Sequence, residues 1–170
     1  MHCGLLGKTL GHSYSPQIHR LLADYSYTLF EKQPDELAAF LTSGDFDGLN
    51  VTIPYKKAVL PFCAAQSEAV RAIGSANTLV RQKDGTLFAD NTDAFGFSCI
   101  VDQCGVSVCG KKALVFGSGG ASLTAQYVLK TRGAREVLVI SRSGENNYEA
   151  LAKHADAQIL VNTTPLGMYP

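Results

Sequence analysis

The chain has no tryptophan and no net charge, its 15 Lys and Arg being matched by 15 Asp and Glu. A nucleic-acid binder shows a basic excess or a basic stripe, so no nucleic-acid partner is expected. No apolar run reaches the roughly 18 residues of a membrane span, so no membrane partner is expected either. The stretch from Met1 to Ser13 lacks a charged region followed by a long apolar one, which argues against a secretory signal and for a cytoplasmic protein. The five cysteines, Cys3, Cys63, Cys99, Cys104 and Cys109, are odd in number, scattered and without a Cys-x-x-Cys pair. That excludes a disulfide framework or a zinc knuckle, and the expectation is reduced thiols, buried or half-buried, with no metal site. There is no internal repeat and no low-complexity tract.

What is present suits a globular α/β protein. Hydrophobic residues make up 46 % and charged residues 18 % of 170 residues, enough for one medium domain or two small ones. Short β-rich runs alternate with amphipathic helical stretches. Strands are expected at Cys3–Leu6, Tyr27–Lys32, Gly48–Ile53, Ala76–Arg81 and Thr86–Ala89. Ser15 is placed to cap a helix beginning at Pro16, and Pro34-Asp35-Glu36 opens another. Pro54 ends a strand and opens a helix, Glu68–Ile73 is helical, and a long helix runs from Thr92 to about Cys104. Beyond Gly105 the pattern becomes β-α-β-α-β, with strands at Lys112–Phe116, Glu136–Ser141 and Gln158–Val161. This is half of a dinucleotide-binding fold. The expected organisation is an N-terminal α/β substrate-binding domain, residues 1–99, followed by a partial Rossmann dinucleotide-binding domain, residues 100–170.

Gly117-Ser118-Gly119-Gly120-Ala121 lies between a strand and a helix, the setting that gives a glycine cluster meaning. Gly117 permits the tight turn, Gly119 allows the backbone to approach a pyrophosphate, and the helix N-terminus supplies N–H groups and partial positive charge. The third small position falls on Ser122. The second strand ends in Ser141-Arg142-Ser143, where an NAD-binding fold usually carries an acidic residue. Arg142 can pair with a 2′-phosphate that a carboxylate would repel, so NADP is the expected cofactor.

Four polar clusters punctuate the first hundred residues: Ser13-Tyr14-Ser15-Pro16, Asn50-Val51-Thr52-Ile53-Pro54-Tyr55-Lys56, Ala76-Asn77-Thr78 and Asp90-Asn91-Thr92-Asp93. Hydroxyls, carboxamides, one lysine and two carboxylates are the groups that recognise a polyol, and a Lys/Asp pair can handle the proton that accompanies hydride transfer. Each has a plain structural alternative. Ser13 or Ser15 could be a helix cap, Asn77-Thr78 a turn, Asp93 a cap of the long helix, and Lys56 a surface lysine.

In this order and spelling, the four clusters, Gly-x-Gly-Gly-Ala and the final Asn-Thr-Thr-Pro-Leu-Gly-Met closely resemble the shikimate dehydrogenase family, from about residue 4 to residue 170. The resemblance implies NADP-dependent interconversion of shikimate and 3-dehydroshikimate in aromatic amino-acid biosynthesis. It implies that Ser13 and Ser15 bind the substrate carboxylate, Thr52 and Asn77 hold the ring hydroxyls, and Lys56 and Asp93 are the catalytic pair. It places the pyrophosphate on Gly117, Ser118, Gly119, Gly120 and Ala121, and the adenosine phosphate on Ser141, Arg142 and Ser143. Asn162, Thr163, Thr164 and Pro165 would lie along the ribose and nicotinamide, with Glu68 near the cofactor. His12 and His19 are read as structural. The sequence departs from the family at Ala89, where Gly is frequent, at Ser-Arg-Ser in place of Asn-Arg-Thr, and at Leu123, where a basic residue is frequent. The alternatives carried are a quinate/shikimate dehydrogenase using NAD or either cofactor, and a truncated, non-catalytic ligand-binding fragment. A monomer or homodimer is expected.

Overall fold

The computed structural model describes residues 1–11 and 13–167; His12 and the Met168 of the last motif lie outside the described residues. The chain divides into two compact units, Met1–Thr92 and the chain from Asp93 onward. The sequence-based boundary near residue 100 falls further along the helix with which the second unit begins.

In the first unit, β1 (His2–Gly7), β2 (Ser26–Glu31), β3 (Gly48–Val51), β4 (Ala65–Gln66), β5 (Thr78–Arg81) and β6 (Leu87–Asp90) form one mixed sheet, in the order β2-β1-β3-β5-β6-β4. The β1–β2, β1–β3 and β4–β6 pairs are parallel, and β5 runs antiparallel to both of its neighbours. One face of the sheet packs Leu6, Leu49, Val51 and Leu79 with Leu37 and Leu41 of α2 (Leu37–Ser43) and Val70 of α3 (Glu68–Ile73). Gly4 lies on that face, where the Phe30 ring and Thr28 backbone occupy the space a Cβ would need. On the other face, α1 (Ser15–Leu22) meets β2 but buries none of its own side chains. Arg81 closes the far side. Its guanidinium donates to the carbonyls of Phe46 and Gly85, at 3.0 Å each, and lies over the Phe46 ring.

Three expected local features differ. Ser15 is not a helix cap: α1 begins at Ser15 itself, Tyr14 holds the cap position with no side-chain bond, and Ser13 Oγ accepts from the Ser15 amide at 3.2 Å. No α-helix follows Pro54. A helix there would pair the Lys56 carbonyl with the Leu60 amide, but Ala76 N donates to Lys56 O at 2.8 Å and Leu60 N donates to Lys57 O at 3.2 Å. The segment therefore turns, with only Leu60–Phe62 forming a short 3₁₀ helix. Of the thiols, Cys3, Cys63 and Cys99 are partly buried, whereas Cys104 and Cys109 are exposed.

In the second unit, α4 (Thr92–Gln103) precedes β7 (Lys112–Phe116), α5 (Gly120–Thr131), β8 (Glu136–Ile140), a 3₁₀ helix at Tyr148–His154 and β9 (Ile159–Asn162). The three strands are parallel in the order β8-β7-β9. The chain thus leaves β7 on one side and returns on the other, which opens a crevice at the carboxyl end of β7. Val101, Ala113, Val115, Ala125, Leu129 and Ile159 form the core, and Arg132 ties α5 to α4 through Asp102 at 2.6 Å and Ser98 at 3.1 Å. Among the described residues, no helix is long and apolar enough to cross a membrane, and no His, Cys, Asp and Glu cluster is suited to a metal.

At the amino end of this sheet the Lys112 side chain is buried and bonded to Asp156 at 2.9 Å, with Glu136 at 3.4 Å. The hydrogen bond from Lys112 holds the Asp156 carboxyl below the usual carboxylate range, and the same bond pushes the lysine up. Asp102 is likewise held low by Arg132. A carboxylate lowered in the folded state adds stability above its unfolded pKa, and loses it as pH falls through the folded value. A lysine that is raised adds stability below its unfolded pKa, and loses it as pH rises through the folded value. The two contributions coincide over neutral pH. Thermal denaturation at a series of pH values will show the midpoint falling below about pH 4, the ordinary carboxylate range. Asp156→Asn will lower the neutral midpoint and flatten part of that fall; an unchanged acid limb would show that the pair contributes nothing.

Candidate functional site

The first unit gathers its polar clusters at the carboxyl ends of β1 and β3. Val51 N donates to Asn77 O at 2.7 Å, Asn77 N donates to Asp90 O at 3.1 Å, and Ala76 N donates to Lys56 O at 2.8 Å. The Asn77 carboxamide oxygen accepts from Thr92 N at 2.9 Å, Thr78 Oγ1 at 3.0 Å and Thr92 Oγ1 at 3.2 Å. Three motifs separated in sequence are thus fastened to one asparagine, whose amide nitrogen faces away from the oxygen so engaged. Thr52, half-buried, donates its amide to Leu6 O at 2.9 Å, and Lys56 follows in the turn, also half-buried. Asp93 is exposed in the first turn of α4, immediately after Thr92, where it opens the second unit.

The loop that carries Ser13 is tied to the same edge. Lys8 N donates to Ile53 O at 3.5 Å, Leu10 N donates to Glu31 Oε1 at 2.6 Å, and Ser13 N donates to Leu10 O at 3.0 Å. Ser15, free of any capping role, stands beside Tyr27, whose hydroxyl donates to Asn50 Oδ1 at 2.7 Å. The His19 ring stacks on Tyr27 at 3.8 Å and bonds the Tyr25 hydroxyl. Asn91 is buried and donates to Ser75 O at 2.9 Å. Glu68 stands exposed in the first turn of α3, next to the Ser67 cap.

The second unit holds a cleft of about 780 Å³ at the carboxyl ends of its strands, lined by the glycine loop, Ser141-Arg142-Ser143 and Thr163-Thr164-Pro165. Gly117 has φ of +106°, and a Cβ there would stand 2.7 Å from Thr163 Oγ1. Its glycine is thus required by the fold, because Thr163 closes over it with both its amide (2.9 Å) and hydroxyl (2.7 Å) on Phe116 O. Gly119 and Gly120 are different: a Cβ at either would meet no atom within 4 Å. They leave open space at the start of α5, where the first N–H groups of a helix lack intrahelical acceptors. Ala121 is in that same first turn, and Ser122 behind it is fully buried. The space and the unmatched donors fit a pyrophosphate. Among the described residues, no carboxylate pairs with Arg142, which is exposed at the cleft wall.

Asn162 does not line the cleft. Its Oδ1 accepts from Thr164 N at 3.0 Å and Thr164 Oγ1 at 2.7 Å, and its Nδ2 donates to Leu166 O at 3.0 Å. It shapes the loop that presents Thr163, Thr164 and Pro165. Two lining residues were not anticipated, Tyr148 and Leu166. Tyr148, packed against Phe116 at 6.2 Å between centroids, is an aromatic just past the Ser-Arg-Ser segment, a signal visible in the sequence for a flat ring binding at this wall.

The profile of the shikimate dehydrogenase substrate binding domain matches residues 5–79. The NADP(+) shikimate dehydrogenase of Caldicellulosiruptor bescii is 38 % identical, over 98 % of this chain and 66 % of its own. The crystal structure of a chorismate mutase/shikimate 5-dehydrogenase fusion protein from Clostridium acetobutylicum is 35 % identical with a TM-score of 0.88, over 99 % of this chain and 67 % of that one. That of the Thermus thermophilus shikimate 5-dehydrogenase, in complex with NADP(H) and shikimate, is 31 % identical with a TM-score of 0.81, over 97 % of this chain and 69 % of that one. The chain spans about two thirds of the length of the curated relatives it matches.

The two kinds of glycine in the loop separate experimentally. Gly117→Ala, with its positive φ and its collision with Thr163, will lose about 1–3 kcal/mol of stability in urea unfolding. Gly119→Ala will stay within about 0.5 kcal/mol. Equal losses would refute the distinction.

Proposed function

We propose a function from one premise: the chain belongs to the shikimate dehydrogenase family. It binds shikimate in its first unit and NADP in its second, and interconverts shikimate and 3-dehydroshikimate as a step of aromatic amino-acid biosynthesis. The observation that carries this reading is the convergence on Ala76 and Asn77, which brings the Asn-Val-Thr, Lys56 and Ala-Asn-Thr segments to one strand edge and fixes the start of the helix that bears Asp93. A similar structure points the same way: that of the Thermus thermophilus shikimate 5-dehydrogenase holds NADP(H) and shikimate.

Residues 1–99 act as the substrate domain and 100–170 as the NADP domain. Ser13 and Ser15 take the carboxylate of shikimate, while Thr52 and Asn77 take ring hydroxyls. Lys56 and Asp93 remove the proton of the reacting hydroxyl during oxidation and return it during reduction, and the lysine's positive charge stabilises the oxygen as it becomes anionic. NADP supplies the hydride acceptor in one direction and the hydride donor in the other. Gly119, Gly120 and Ala121 bind its pyrophosphate through backbone N–H groups. Arg142 binds the 2′-phosphate through its guanidinium, with the hydroxyls of Ser141 and Ser143 beside it. Tyr148 offers its ring face at the same wall. Glu68 is a cofactor-side residue. The reading places the chain in the cytoplasm, as a monomer or homodimer without nucleic-acid or membrane partners.

Incubating the mass-verified chain with shikimate and NADP, and following NADPH absorbance, tests this directly. NADPH is expected to form, faster than NADH forms from NAD and faster with shikimate than with quinate. No turnover with any pairing would sink the enzyme reading and favour a ligand-binding fragment. Lys56→Ala will lower turnover by roughly 10²- to 10⁴-fold and change shikimate affinity far less. Arg142→Ala will weaken NADP binding by about 10-fold or more, the worth of a charge-assisted hydrogen bond, and leave NAD binding nearly unchanged. Equal weakening of both dinucleotides would show that Arg142 does not read the 2′-phosphate.

A further inference from the structure

The α1 side of the first sheet carries a connected set of groups with no part in the proposed chemistry. Tyr27 is on β2 and Asn50 on β3, with β1 between them. Neighbouring strands stand roughly 4.8 Å apart, so the Tyr27 side chain extends across β1 to place its hydroxyl 2.7 Å from Asn50 Oδ1. Tyr27 pairs with Cys3, and Cys3 pairs with Gly48, so Tyr27 and Asn50 share this face of the sheet. The ring is clamped from above by the His19 ring, stacked at 3.8 Å and 19°, and His19 is in turn held by the Tyr25 hydroxyl.

We propose that Tyr27 is a positioning residue for the substrate: it holds the Asn50 carboxamide by its oxygen, so that the amide nitrogen is presented as a donor to a substrate oxygen. The proposal rests on the reading of the first unit as a shikimate site. A carboxamide has an acceptor end and a donor end, and whichever end the protein engages leaves the other for the ligand. Asn77, one strand over, is treated in the same way, its oxygen receiving the Thr92 amide and two threonine hydroxyls. Both asparagines are thereby turned into donors, the character that a ligand with a carboxylate and several oxygens calls for. The phenol keeps the proton this requires. Burial pushes Tyr27 up to about 12, against an opposing hydrogen bond with Ser15, so it remains a donor throughout the physiological range.

Tyr27→Phe keeps the ring and its stacking on His19 and removes only the hydroxyl. Shikimate affinity is measured by calorimetry for the whole chain as wild type, Tyr27→Phe, Asn50→Ala and the double variant, with thermal midpoints alongside. Tyr27→Phe is expected to weaken binding about 5- to 10-fold, the net worth of one hydrogen bond, with the midpoint moved by no more than a few degrees. The double variant is expected to bind no more than about twofold worse than Asn50→Ala alone, because Tyr27 acts through Asn50. Asn50→Asp, which keeps an acceptor for Tyr27 but has no amide nitrogen, is expected to bind shikimate worse than Tyr27→Phe. The proposal is overturned if Tyr27→Phe binds as wild type, if the two single losses multiply in the double variant, or if Asn50→Asp binds as wild type. A wild-type chain that does not bind shikimate sinks the functional reading and this proposal together, whereas wild-type binding with a multiplicative cycle sinks this proposal alone.

Discussion

One carboxamide oxygen, Oδ1 of Asn77, organises the first unit's site. It accepts from the backbone of Thr92 and from the hydroxyls of Thr78 and Thr92, while the Asn77 backbone bonds Val51 on one side and Asp90 on the other. Each such bond is worth only about 1 kcal/mol net, but an engaged acceptor left without its donors costs more than that. The consequence is geometric. The end of β3, the start of β5, the end of β6 and the first residue of α4 share a single reference point, and the turn carrying Lys56 is bonded to the adjacent Ala76. None of them can shift without leaving polar backbone groups unsatisfied.

The second unit reaches the same end differently. At the carboxyl edge of β7 the ladder runs out, and the Phe116 carbonyl is taken up by the amide and hydroxyl of Thr163, which follows β9. That closure brings Thr163 so near Gly117 that no side chain fits there. The glycine loop is therefore divided in purpose. Its first glycine serves the joining of two strands, and its later glycines leave the helix N-terminus uncovered. In both units the candidate site lies where parallel strands end, because there the backbone must be completed by side chains from the next motif, and those side chains hold the ligand-binding groups in place.

Most of this architecture was legible in the sequence, because its signals are local. Short apolar runs between glycines marked the strands of both units to within a residue or two, and the spelling of the polar clusters marked the strand ends. What failed depended on partners distant in sequence. The turn after Pro54 reads as a helix until Ala76 claims the Lys56 carbonyl. The two-residue strand β4 is too short for any periodicity and exists only because β6 pairs with it. Tyr27 gave no signal as a site residue, since its importance arises from a register that sets it two strands from Asn50.

Residue type, finally, does not separate a group that meets a ligand from one that holds the scaffold, and the asparagines of this chain show why. Asn162 commits both ends of its carboxamide to the loop that follows it. Asn91 is buried with its nitrogen on Ser75 O and its oxygen without a hydrogen-bond partner among the described residues. Among the described residues, Asn50 and Asn77 engage only the carboxamide oxygen with the protein. In the sequence the four stand in equally suggestive motifs. What distinguishes them is which polar atoms the fold has already used. The atoms that remain at Asn50 and Asn77 are donors, as are the N–H groups at the start of α5 and the guanidinium of Arg142. Both units therefore present donors outward, and a substrate and cofactor rich in anionic and hydroxyl oxygens are the complement to that shared polarity.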